Sequence, residues 1–183
     1  AAGSPEPKTA SSFTDVPASA YYAKAVAWAI ENGITNGMTE TTFAPDATCT
    51  RGQGVTFLYR ALKGSAGATS SFVDVPTNAF YADAVGWAVS GKVTDGTSNT
   101  TFSPDATCTR AQAVTFLARA LKAKAASAAE FSDVPTGSYF ADAVAWAAAN
   151  GVTEGIGGGL FGSDNDCTRG QIVTFLWRLY ASK

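Results

Sequence analysis

Apolar residues recur at helical spacing in two kinds of segment. With residues set at 100° intervals, Tyr22, Ala25, Val26, Ala29 and Ile30 share one stripe, and Lys24 and Glu31 fall opposite. The spacing predicts a first helix over roughly Tyr21 to Asn32, stopped by Asn32-Gly33. Trp28 lies off the centre of the stripe, on the side of Tyr21, where a tryptophan can fill a seam between units or wall a surface groove. A second helix is predicted to start at Thr50-Arg51-Gly52-Gln53, with Thr50 and Gln53 spaced as a capping box. It carries Val55, Leu58, Tyr59 and Leu62 on one face and Phe57 and Ala61 on another. A helix that is apolar on two sides is buried on two sides.

Both segments appear three times at a spacing of 59 residues, without insertion or deletion. Trp28, Trp87 and Trp146 are one position, as are Asp15, Asp74 and Asp133; Cys49, Cys108 and Cys167; and Arg51, Arg110 and Arg169. A residue kept in all three copies answers to a demand that each copy shares. Repeats on so short a period either stack as an open solenoid or close about a pseudo-threefold axis. No unit of this size is comfortably stable alone. The doubly apolar second helix is expected to touch its own repeat and the other two, which favours closure. The expected fold is therefore all-α: three tandem helical repeats, arranged pseudo-threefold around a central three-helix bundle. The repeats are placed at residues 13–64, 72–123 and 131–183, as one compact unit. Residues 1–12, small, polar and Pro-containing, read as a linker, a mature terminus or a cloning scar, and the chain as part of something longer.

Between the two helices each repeat has a loop rich in Gly and Thr, with a fixed glycine (Gly37, Gly96, Gly155) and a fixed phenylalanine (Phe43, Phe102, Phe161). The glycine is expected either to take a positive φ or to let something approach the backbone. Each repeat opens with Phe-x-Asp-Val-Pro, whose aspartate can take a local turn.

Composition narrows the chemistry. The net charge is −2 with no basic tract, which argues against nucleic acid. No apolar run approaches the ~20 residues that span a bilayer. Histidine is absent, which removes the commonest general base and metal ligand. Asp15, Asp74 and Asp133 stand one per repeat rather than as a local pair, and the other repeated carboxylates, Asp46, Asp105 and Asp164, sit beside the helix entrance where a turn or capping role suffices, so a glycosidase, or any enzyme, is not expected. The three cysteines read as small buried hydrophobes at a helix entrance, with a three-thiolate metal site on the axis as the alternative. Asp164-Asn165-Asp166 is the one run that suggests calcium, and no other repeat matches it. No cofactor is implied.

All six arginines occupy two repeat positions, whereas the seven lysines show no such order. Arginine is favoured over lysine where a planar fork meets a carboxylate or an aromatic ring. Arg51 at the first helical position faces the positive end of the helix dipole, a locally unfavourable placement. Two readings explain its repetition: an internal salt bridge, for example to Asp15, or an anion site beside a helix N-terminus. Arg60, Arg119 and Arg178, mid-helix, are expected to pair with carboxylates between repeats. An arginine fork, a nearby tryptophan and small polar loop residues suit an acidic sugar.

These residues closely resemble the S-layer homology domain. The shared pattern is an opening Phe-x-Asp-Val, a first helix with Trp, a Gly-containing loop with Phe-x-Pro, and a second helix opening Thr-Arg-Ala-Glu. The last stands here as Thr50-Arg51-Gly52-Gln53, Thr109-Arg110-Ala111-Gln112 and Thr168-Arg169-Gly170-Gln171. The resemblance runs from Phe13 to about Tyr180. It implies a three-pronged assembly that anchors a surface protein to the bacterial cell wall, outside the cell. The implied partner is a secondary cell-wall polysaccharide, often one carrying pyruvylated N-acetylmannosamine, held in grooves between prongs. Carried over, the implied contacts are Arg51, Arg110, Arg169, Asp15, Asp74 and Asp133, with Trp28, Trp87, Trp146, Gly37, Gly96 and Gly155 as supporting walls. Self-association within a surface layer, without glycan binding, is the other role considered. The chain departs from the pattern in its Gln for Glu, its Cys before Thr-Arg, and Ser163 in place of Pro45 and Pro104. The loop drift in the third repeat is expected to loosen its groove or cost it its ligand.

Overall fold

A computed structural model describes residues 5–125, 127 and 130–181. Among the described residues there are six helices and no extended strand. The short outer helices are α1 (Ala23–Glu31), α3 (Ala82–Ser90) and α5 (Ala141–Ala149). The inner helices are α2 (Arg51–Ala61), α4 (Arg110–Ala120) and α6 (Arg169–Ala181). The expected capping box closes at each inner helix: Thr50, Thr109 and Thr168 accept from the backbone N–H of Gln53, Gln112 and Gln171. Each glutamine accepts in return from its threonine's N–H.

The inner helices converge, α2 packing against both α4 and α6. Their approach is set just before the helices begin, by a closed ring of backbone hydrogen bonds. Cys49 N donates to Cys167 O (2.9 Å), Cys108 N to Cys49 O (2.9 Å) and Cys167 N to Cys108 O (2.8 Å). The three thiols are fully buried. Burial pushes Cys49 and Cys167 well up and Cys108 to about 12, so they are neutral thiols, each directed at the carbonyl of the following threonine. The small-hydrophobe reading fits this environment.

The outer helices pair across repeats. α3 packs on α2, α5 on α4, and α1 on α6, so each first helix sits on the second helix of the preceding repeat and the last pairing closes the circle. The second helix meets its own repeat through the loop, where Arg60 donates to Ile34 O. Two tryptophans fill these cross-repeat seams: Trp28 lies 5.1 Å from the Tyr180 ring and Trp87 5.7 Å from Tyr59. Chain segments lie over the outer helices. Residues 5–12 lie beside α1, held by Trp177 donating to Pro5 O, Thr9 N donating to Glu31, and an exposed Lys24–Glu6 pair. Gly86 replaces Ala27 and Ala145 because the Ala68 carbonyl of the equivalent linker occupies the place of its Cβ.

Candidate functional site

The opening aspartates hold the loops. Asp15 accepts from the backbone N–H of Phe43 (2.9 Å) and Ala44 (2.7 Å), and Asp74 from Phe102 and Ser103. Asp133 accepts from Phe161, Gly162 and Ser163. These bonds pin residues 28 or more positions away and let Ala44 and Ser103 keep a left-handed φ of 56° and 57°. At Asp133, desolvation pushes the pKa up, but the three backbone donors outweigh it and the pKa falls below its ordinary 3.8. A depressed carboxylate contributes stability that is present above the unfolded value and lost as pH falls through the folded one. Acid titration of stability should therefore show a loss below about pH 3.8, and Asp133→Asn should flatten it; an unchanged acid limb in urea melts would assign the loss elsewhere.

The pinned loop then receives an arginine from the preceding repeat. Arg51 Nε donates to Phe102 O, Arg110 Nε to Phe161 O and Arg169 Nε to Phe43 O, at 2.9–3.0 Å. The guanidinium carbon of Arg51 is 4.7 Å from the Phe102 ring centroid and 5.5 Å from that of Phe116, and the other two copies repeat this. All three arginines are 3% exposed. Burial pulls their pKa down. Among the described residues none forms an ion pair, so the expected Arg51–Asp15 bridge is not made. The aspartate is occupied by backbone amides instead. Its influence on the arginine is indirect and crosses repeats, Asp15 facing Arg169 and Asp74 facing Arg51.

The helix N-terminus is also already occupied. Arg51 N donates to Ala106 O and Gly52 N to Pro104 O, both from the next repeat's loop. The same contacts recur at Arg110 and Ala111, with Asn165 O and Ser163 O, and at Arg169 and Gly170, with Ala47 O and Pro45 O. Neighbouring carbonyls thus offset the dipole, which explains why a cation is tolerated there. The anion-attracting group is the guanidinium, not the helix end. Nη2 of Arg51, Arg110 and Arg169 is buried with no hydrogen-bond partner in the protein. Ser163 keeps the carbonyl contact made by Pro45 and Pro104, so the proline is dispensable for it.

Arg110 and Arg51 each open into a groove. One, of about 350 Å³, is lined by Arg110 with Thr153, Glu154, Gly155, Gln171, Arg178 and Tyr21. The other, of about 330 Å³, has Arg51 with Thr94, Asp95, Gly96, Gln112, Arg119 and Tyr139. These volumes lie in the range of small-molecule sites. Both grooves draw on all three repeats: an arginine from one, a loop and inner helix from the next, and an aromatic from the third. The grooves gather Arg51 with Gly96 and Arg110 with Gly155. Trp28, Trp87 and Trp146 do not line either groove, Trp28 and Trp87 standing at the helix seams, and the aspartates act behind the loop.

Sequence reasoning missed Tyr21, Phe80 and Tyr139, which are 59%, 64% and 61% exposed and each set edge-on against the next aromatic. The aromatic pair in all three copies was the available signal. The second arginines also differ from expectation. Arg119 and Arg178 line the grooves, and Arg119 meets Asp95 (3.6 Å) inside its own repeat, not between repeats. The sequential i to i+24 separation hid that pair.

The S-layer homology domain family model matches residues 12–53, 71–114 and 130–173. A cell surface protein of Thermoanaerobacter kivui is 36% identical over 60% of this chain and 15% of its own length. A surface-layer 125 kDa protein of Lysinibacillus sphaericus is 31% identical over 75% of the chain and 12% of its length. The chain thus spans less than a sixth of either relative. Three matched repeats, with the motif residues placed alike in each, establish that this chain belongs to the S-layer homology domain family, modules of the bacterial cell surface.

Proposed function

We propose that the chain anchors a surface protein by binding a carboxylate-bearing cell-wall polysaccharide in the inter-repeat grooves, without catalysis. The observation that carries this reading is the buried guanidinium with an unpartnered Nη2 at each groove. A buried donor without an acceptor costs roughly 1–3 kcal/mol, more when charged. Repeated three times, it marks a site completed by a ligand acceptor. A carboxylate suits the arginine fork. The exposed Tyr21, Phe80 and Tyr139 offer faces for sugar C–H surfaces, and the threonine and glutamine side chains offer partners for hydroxyls. A pyruvate ketal on N-acetylmannosamine supplies such a carboxylate.

Isothermal titration with a synthetic pyruvylated N-acetylmannosamine glycoside should show binding at least about tenfold tighter than with the unpyruvylated sugar, a difference of about 1.4 kcal/mol. Equal affinities, or no heat with folded protein, would overturn the carboxylate reading and favour a structural role.

A further inference from the structure

The three grooves share their parts but not their charge. The loop residue that follows the buried threonine is Asn36, Asp95 or Glu154 in repeats one, two and three. Asp95 lines its groove and sits 3.6 Å from Arg119. Glu154 lines the next groove beside Arg110 and Arg178. By repeat equivalence the third groove gathers Arg169 of the third repeat with Arg60 and a neutral Asn36 of the first. There Arg60 donates to Ile34 O and meets no carboxylate among the described residues.

The aromatic at the groove mouth differs as well. Tyr139 and Tyr21 bring phenols near Arg51 and Arg110. The corresponding residue for the Arg169 groove is Phe80, exposed and without a hydroxyl. At the equivalent positions this groove therefore has two guanidiniums, an amide in place of the carboxylate, and an apolar platform.

We propose that the grooves are graded anion sites: the Arg169 groove takes the most acidic ligand, and Asp95 and Glu154 restrain the other two. This rests on the reading of the grooves as carboxylate-sugar sites. An acidic wall repels a ligand carboxylate, and Asp95 also occupies Arg119, the second guanidinium of its groove. Asp95 is 86% exposed, so water and salt screen it and the effect is one of several-fold, not orders of magnitude.

The arginine Nε–H signals report each groove separately in nitrogen–proton NMR. In a titration of the whole chain with the pyruvylated glycoside at low salt, Arg169 should saturate first and Arg51 last, about three- to tenfold apart. Asn36→Asp should weaken the Arg169 response, and Asp95→Asn should tighten that of Arg51, by about the same factor. Both positions are exposed loop sites, so neither variant threatens the fold. Coincident saturation in all three chains, with binding intact, would overturn the grading and leave the carboxylate reading standing. No response at any arginine would overturn both.

Discussion

Replacing Arg51, Arg110 and Arg169 together by alanine is expected to unfold the protein, and any one alone to lower its stability by about 2–4 kcal/mol. Half of each guanidinium is structural. Nε donates to a buried carbonyl of the next repeat, and the charged group lies over two phenylalanine rings. A hydrogen bond from a charged donor contributes about 1.5–3 kcal/mol, and a desolvated cation–π contact about 2 kcal/mol. Alanine leaves Phe102 O, Phe161 O or Phe43 O without its donor and a gap between rings. Against this, truncation releases a buried charge, so the net falls below the sum. Lysine would not rescue the site, since it carries no Nε–H in a planar fork. Urea melts of Arg51→Ala decide the matter: an unchanged midpoint would mean that desolvation cancels every contact of the guanidinium.

Gly96→Ala should cost about 3 kcal/mol or more and weaken ligand binding in its groove, through loss of the loop's shape. Both reasons foreseen for this glycine hold at once. Its φ is +86°, which alone costs an alanine about 1–2 kcal/mol. A Cβ there would also stand 2.5 Å from Thr101 O and 2.6 Å from the Phe72 ring. The backbone oxygen cannot yield without opening the loop that Asp74 pins. What approaches the backbone is thus the chain's own opening phenylalanine. Gly33→Ala supplies the control, with φ +66° but nothing within 4 Å of its Cβ. It should lose only the conformational part, near 1 kcal/mol. Thermal melts that shift equally for the two variants would show that the crowding at Gly96 is relieved at no cost.

The helices were legible because their signals are local. Capping boxes, the Asn-Gly stop and apolar spacing all lie within a few residues of what they specify, and the observed ends fall within about two residues of those expected. The wiring between repeats was not legible. Asp15 and Arg51 look like a pair because each is a complementary side chain, yet both find backbone partners, and a backbone amide or carbonyl has no identity in sequence. The helix N-terminus looked open for the same reason: the carbonyls of Pro104 and Ala106 that fill it come from another repeat. At the candidate site, the arginines and loop glycines were found by their repetition. Tyr21, Phe80 and Tyr139 escaped because they fell at the margin of a helical stripe, where a periodicity argument assigns no role.

The cross-repeat pairing of helices also governs how this chain can change length. In an open stack, one unit more or less alters extent and little else. Here each first helix leans on the preceding repeat, α1 closes on α6, and three cysteine amides complete one ring of hydrogen bonds. A single copy has no partner for either of its helices, and two copies leave an outer helix and an inner helix bare. A fourth has no place in the ring. Gain or loss of copies by recombination is therefore expected to be tolerated only in whole threes, so that the heritable unit is the triplet although the visible sequence unit is the single repeat.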